Sequence, residues 1–272
     1  MKKNIPVIAI VCVLALGVCV LLYPVVSAII AKMTESVTIS SYQKAVENLS
    51  GQQIAKMKAD AEKYNRQLSG AVLSDPFTGT EKLDTGYIKL LNVSEVMGYL
   101  EIPKINVYLP IYHGTSAEVL QKGIGHLQNT SLPIGGKSTH AVLSGHRGLP
   151  SATLLTNLDQ MKKGDVFYIH ILDEILAYQV EKIKVVNPDN TADLAIQPGR
   201  DLVTLVTCTP YGINTQRLLV RGKRIEYIPG SRAQPKRQAG EAAVVPSAAL
   251  AAAAVPAVLL VRAWKKRRRV RK

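Results

Sequence analysis

The stretch from Asn4 to Ala31 contains no charged side chain and is almost entirely Ile, Val, Leu, Ala and Cys. Crossing a bilayer takes about 20 apolar residues, so this run is long enough. Lys2 and Lys3 precede it. Residues 1–31 are read as an N-terminal transmembrane anchor that is not cleaved. A cleavable signal peptide is the competing reading; its apolar core is normally shorter, about 7 to 15 residues, and ends at a small-x-small site.

A second apolar run, Ala242 to Val261, is rich in Ala and interrupted by Pro246 and Pro256. It leads into a basic tail from Arg262 to Lys272. Positive residues beside a span stay in the cytoplasm. The reading is therefore a two-span plasma-membrane protein with both termini cytoplasmic and the middle translocated. Residues 231–241 form a linker, 242–263 the second span and 264–272 the cytoplasmic tail. A disordered Ala/Pro tail with a basic patch is the alternative for this end.

Charge follows the same division. The net charge is +14, but all 20 acidic residues lie between Glu35 and Glu241. Two lysines at the start and eight basic residues from Arg262 onward leave the middle near +4. That excludes a nucleic-acid footprint. The basic tail suits anionic lipid at the cytoplasmic face. Of the three cysteines, Cys12 and Cys19 lie inside the first apolar run, so only Cys208 falls in the translocated part. A lone thiol outside the cytoplasm has no intramolecular disulfide partner, which marks Cys208 as a candidate reactive residue.

The translocated part is large enough for one sizeable core. Residues 32–70 read as a helical appendage: Tyr42, Val46, Leu49, Met57, Ala61, Tyr64 and Leu68 recur mostly every three or four positions, with a break at Gly51. Ser74-Asp75-Pro76-Phe77-Thr78-Gly79 reads as loop. From Gly98 the pattern changes to short runs rich in Val, Ile and Tyr. Strands are expected at Gly98–Ile102, Ile105–Ile111, Ala141–Gly145, Val166–Leu172, Ala177–Val186, Leu202–Thr207 and Arg217–Ile225. Short helices are expected at Ser116–Lys122 and around Leu154–Met161. Many short strands with few helices indicate a mainly β fold, either barrel or sandwich.

Leu202 to Thr207 is a buried-looking strand that ends on Cys208. A thiol of pKa near 8.5 is mostly protonated at neutral pH, so a nucleophilic cysteine needs a basic or cationic neighbour. His146 lies between glycines at the end of another expected strand and suits proton transfer to a leaving amine. Arg217, nine residues after the cysteine, suits a returning strand and can stabilise a developing oxyanion. His113 is the weaker rival to His146, and Arg221 the weaker rival to Arg217. His170 alternates within a strand, at a solvated or core position. Arg147, Arg221 and Arg224 are expected to be solvated. Gly135-Gly136-Lys137-Ser138 lacks the earlier glycine of a phosphate-binding loop, since Ser131 stands there. No cofactor is expected, and no Cys/His spacing suggests a metal.

Thr204-Leu205-Val206-Thr207-Cys208 resembles the TLxTC signature of sortases. The run from Thr207 to Gly222 resembles class C, the pilus-building members. Ala141 to Gly148 and Ile111 to Thr115 resemble the same family, and the likeness covers about residues 70 to 228. The resemblance implies an eight-stranded β-barrel, residues 83–230, and a Cys208–His146–Arg217 site. It also implies a lid, residues 71–82, in which Asp75-Pro76-Phe77 matches the class C motif. Asp75 would pair with Arg217, and Phe77 would pack over Cys208. The two flanking spans also look like class C.

The implied activity is cleavage of an LPxTG-like motif between Thr and Gly, then transfer of the Thr acyl group to a Lys amine of a pilin subunit. Anchoring of surface proteins to peptidoglycan is the alternative within the family. A non-catalytic, membrane-tethered binding module is the alternative outside it. The chain is not itself read as a sorted substrate: Leu132-Pro133-Ile134-Gly135-Gly136 lacks the Thr. A papain-like protease is disfavoured because there the Cys precedes the His.

Overall fold

A computed structural model describes residues 5–68, 73–79 and 82–229, with side chains from residue 13 onward. The expected linker, second span and basic tail, 231–272, lie outside the described residues.

Helix α1 runs from Ile5 to Glu47. Its Val13–Glu47 portion is long and apolar enough to cross a membrane. Among the described residues, those from Ser27 on belong to a separate compact unit. Within that unit, Ile39 and Tyr42 of α1 are buried in the main core. The Tyr42 hydroxyl donates to the Met97 carbonyl at 3.0 Å and accepts from the Leu172 amide at 2.7 Å. The break expected at Gly51 is a helix start. Ser50 caps α2, Gly51–Gln67, through a reciprocal capping box with Gln53, which satisfies amides the helix end leaves open. Asn65 of α2 exchanges two hydrogen bonds with the Leu132 backbone, at 3.2 and 2.7 Å. The single turn α3, Thr85–Ile88, starts on Asp84.

Eight strands follow: β1 Gly98–Ile102, β2 Val107–His113, β3 Ile124–His126, β4 Thr139–Ser144, β5 Val166–Ile171, β6 Glu174–Val186, β7 Asp201–Thr209 and β8 Gln216–Ile225. Helix α4, Ala117–Lys122, links β2 to β3. The strands close into a barrel in the order β1-β2-β3-β4-β7-β8-β6-β5. Two neighbouring pairs, β2–β3 and β4–β7, are parallel. Barrel closure decides between the two β architectures left open by the strand pattern, and it leaves no edge unpaired. The helix expected around Leu154–Met161 is reduced to a single tight turn at Leu158–Gln160.

Alternation along the strands sends side chains to two places. Ala141 and Leu143 of β4, Val203 and Leu205 of β7, and Leu218 and Val220 of β8 point into the barrel core. Val142, Val206 and Leu219 point outward into a second apolar cluster with Leu127, Val186 and Leu194. Leu73 and Phe77 pack on that cluster from outside. The covered outer face of β4, β7 and β8 is where the site lies.

Candidate active site

Cys208 and Arg217 are direct partners in the antiparallel β7–β8 ladder. Directly opposed residues put their side chains on the same face, a few ångströms apart. Cys208 shares the outward face with Thr204 and Val206 and is 7 % exposed. Arg221 pairs with Thr204, four residues back along β7, so it lies away from the strand end.

His146 follows β4, whose Ser144 pairs in parallel with Val206 of β7. The two strand ends are laced together. The Gly145 amide donates to the Val206 carbonyl at 3.1 Å, and the Thr207 hydroxyl donates to the Gly145 carbonyl at 2.8 Å. Glycine is required at 145 because a Cβ there would meet Ile124 and Leu155 side chains at 2.9 Å. At Gly148 the backbone φ is +76°, and the Tyr211 ring would stand 3.0 Å from any Cβ. The Leu155 amide donates to the His146 carbonyl at 3.1 Å, fixing the turn that carries the imidazole.

The segment Leu73–Gly79 covers these groups. Asp75 accepts two hydrogen bonds from the Arg217 guanidinium, from Nε and from Nη2, each 2.8 Å. Side-chain exposure is 12 % for Arg217 and 9 % for Asp75. The Phe77 ring lies 5.7 Å from the His146 ring, and the Arg217 guanidinium stands 5.0 Å over Phe77. Thr191 donates to the Leu73 carbonyl at 3.2 Å, holding the segment to the β6–β7 connection. An open cleft of about 580 Å³ lies elsewhere, between α2 and residues 134–139. Beside Cys208, Leu73 and Phe77 pack on the cluster that holds Val206 and Leu219.

Electrostatics follow from this cover. Burial pushes the Cys208 thiol up, Arg217 pulls it down, and the Asp75 carboxylate pushes it up again. Burial holds the His146 imidazole below its ordinary range. The Asp75 hydrogen bond raises the Arg217 guanidinium further. With the segment in place, both shifts favour the neutral thiol and the neutral imidazole.

The other sequence candidates separate clearly. His113 ends β2, three strands along the barrel from β7, and is buried with Nε2 2.7 Å from the Leu90 carbonyl. His170 is a core position, 2.7 Å from Glu101 and stacked on Tyr99. Two arginines expected in solvent are buried instead. Arg147 is 8 % exposed at its side chain, ion-paired with Asp159 and 5.8 Å from the Tyr211 ring. Arg221 donates to Glu181 at 2.9 Å beneath the segment that joins β6 to β7. Arg224 is half-buried, 5.6 Å over the Tyr178 ring. Sequence reasoning did not find Leu73 or Ser144. Neither residue type carries a signal of its own, and both gain meaning only from the face they share with Cys208.

A closed eight-stranded barrel with a cysteine and an arginine paired at a strand end, and a histidine on the adjoining strand, defines a β-barrel of the sortase type. The sortase domain family model matches residues 100–225. Sortase C-1 of Streptococcus pneumoniae is 48 % identical, with a TM-score of 0.67, covering 70 % of this chain and 98 % of that one. The pilus-related sortase C of Group B Streptococcus is 49 % identical, with a TM-score of 0.66, covering 69 % and 97 %. Sortase D of Bacillus subtilis is 34 % identical over 134 residues, 48 % of this chain and 65 % of that relative. The matched part thus spans just under two thirds of the curated relative. The chain belongs to the sortase family of cysteine transpeptidases, and its structural neighbours are class C members.

Proposed function

We propose that the chain is a pilus-assembling transpeptidase with Cys208 as nucleophile, His146 as general acid and base, and Arg217 as stabiliser of the oxyanion or substrate. The observation that carries this reading is the β7–β8 register, which opposes Cys208 and Arg217 at the strand end beside His146. The proton of the resting thiol passes to His146. The thiolate attacks the Thr carbonyl of an LPxTG-like motif, and the Thr–Gly bond breaks as the imidazolium protonates the departing Gly amine. A Lys ε-amine of a pilin subunit then attacks the thioester, gives its proton to His146, and releases Cys208 as an isopeptide bond forms. Identity near one half to class C neighbours, one of them described as pilus-related, favours Lys of a pilin over peptidoglycan as acceptor.

Asp75, Pro76 and Phe77 act in this reading as a lid that must leave before substrate enters. The helix at the N-terminus anchors the enzyme, and a second span after the barrel puts both termini in the cytoplasm, with the barrel outside. Mass spectrometry of the full-length chain with an LPxTG-containing peptide tests the proposal. The expected product is a Cys208 adduct that has lost the Gly-side fragment and is resolved by a Lys-containing pilin peptide. Cys208→Ala abolishes both adduct and polymer. Resolution only by a peptidoglycan-type amine would assign wall anchoring instead, and adduct formation in Cys208→Ala would exclude this nucleophile.

A further inference from the structure

Among the described residues, two buried side-chain polar atoms have no hydrogen-bond partner: Ser144 Oγ and Arg147 Nε. They bracket His146, two residues before and one after. Buried polar groups are nearly always paired, so an orphan calls for a reason.

The direction of Ser144 follows from its strand. His140 and Thr204 meet side chain to side chain at 2.7 Å, and Val142 and Val206 share the outer apolar cluster. Residues 140, 142 and 144 of β4 therefore face the same way as 204, 206 and 208 of β7. Ser144 pairs with Val206, so it lies one pleat short of Cys208 on the covered face. The residue is fully buried. Its same-face neighbour Val142 and its ladder partner Val206 belong to the second cluster, on which Leu73 and Phe77 pack. Two other polar side chains of this face are occupied. Thr204 is bonded to His140, and Arg217 to Asp75. Ser144 thus presents an unpaired hydroxyl between the apolar cluster and the Cys208 thiol, on a face covered by Leu73 and Phe77.

We propose that Ser144 is a specificity-determining residue, whose hydroxyl donates to a backbone carbonyl in the acyl half of the bound sorting peptide. The inference rests on the transpeptidase reading above. A hydroxyl can rotate to donate to whatever acceptor arrives, and a peptide carbonyl has a lone pair to accept with. While the cover is in place, the hydroxyl has no hydrogen-bond partner. When peptide replaces Leu73 and Phe77, the apolar floor takes apolar side chains and Ser144 takes the backbone polarity that would otherwise be buried unpaired. Such a group rewards a peptide and penalises an apolar ligand of the same shape.

The test is single-turnover acylation of the full-length chain in detergent by an LPxTG peptide, comparing wild type, Ser144→Ala and Ser144→Thr. One neutral hydrogen bond corresponds to roughly a three- to tenfold change in affinity. Ser144→Ala is expected to raise the half-saturating peptide concentration by that factor, with the maximal acylation rate within twofold of wild type. Its melting temperature is expected to be unchanged or higher, because no native hydrogen bond is lost. Alkylation of Cys208 by a small thiol reagent is expected at the wild-type rate. Ser144→Thr keeps the hydroxyl and is expected to restore the half-saturating concentration. An unchanged half-saturating concentration in Ser144→Ala overturns the inference and leaves the transpeptidase reading intact. So does a fall in melting temperature, which would assign Ser144 to structure, or a fall confined to the maximal rate, which would assign it to His146. Failure of wild type to form any adduct overturns both.

Discussion

Removing Asp75 should uncover the thiol, and the size of the effect can be worked out from the contacts. Asp75→Ala deletes two hydrogen bonds of 2.8 Å to Arg217, in a pair whose side chains are about nine-tenths buried. A hydrogen bond to a charged group contributes about 1.5 to 3 kcal/mol net. Counting the bidentate pair as one such contribution, the covered form loses about 2 kcal/mol relative to the uncovered one. That is roughly a thirtyfold shift toward the uncovered form. A bulky thiol reagent reaches Cys208 only there, so its alkylation rate should rise by about that factor. The pH profile should move as well. Asp75 and burial both push the thiol up, while Arg217 pulls it down. Loss of the carboxylate and exposure of the thiol therefore lower its pKa. Reaction follows the thiolate, so the midpoint of the rate–pH curve should shift to lower pH. Phe77→Ala should act on the same equilibrium, and the double variant should multiply the two rate effects until the uncovered form predominates. Stopped-flow alkylation from pH 6 to 10 checks this. An Asp75→Ala rate within twofold of wild type, with an unmoved midpoint, would refute the reasoning.

Two further expectations concern the barrel. Arg217→Lys keeps the charge but not the planar fork that opposes Cys208, so the acylation rate should fall about 100- to 1000-fold with little change in melting temperature; a fall of less than threefold would count against its role. His126 and His140 are buried and neutral, each pushed down to about 4 by burial. The unfolded chain binds protons near pH 6.5 and the folded one does not until about 4. Stability is therefore full above pH 6.5 and lost as pH falls toward 4, by about 1.4 kcal/mol per pH unit for each histidine. Calorimetry should show a falling melting temperature across that window, and His140→Gln should flatten the slope.

Much of this was legible in the sequence, and the failures have physical causes. The strand Gly98–Ile102 falls where its Val/Ile/Tyr pattern puts it, and Cys208 ends a strand as expected. The extra length of β7 and β8 comes from their mutual pairing, which local pattern does not encode. Strand β3 was missed because it has three residues with a glycine in the middle, too short for any alternation. Arg147 and Arg221 were misjudged because their charge argues for solvent, whereas Asp159 and Glu181, distant in sequence, pair with them and allow burial. The Asp75–Arg217 contact joins residues 142 positions apart. The family resemblance supplied it, and no reading of spacing could have.

The β7–β8 pairing also determines which changes in chain length the protein can absorb. Cys208–Arg217 and Thr209–Gln216 are the last rungs before the turn at residues 210–215. Residues added to or removed from that turn leave every rung below it in place, but they disturb two contacts of the site: the Asn214 carbonyl accepts from Arg217 Nη1 at 3.0 Å, and Tyr211 packs on Gly148 and Arg147. One residue added inside β8 is a different event. Because side chains alternate with a period of two, it would send Arg217 into the barrel and Leu218 out to face the thiol. A change in the turn therefore costs contacts at the rim of the site, whereas one inside β8 exchanges the side chain that faces the thiol. A library that varies the turn but keeps Tyr211 and Asn214 would sample new surfaces while the Cys208–Arg217 rung stays in place.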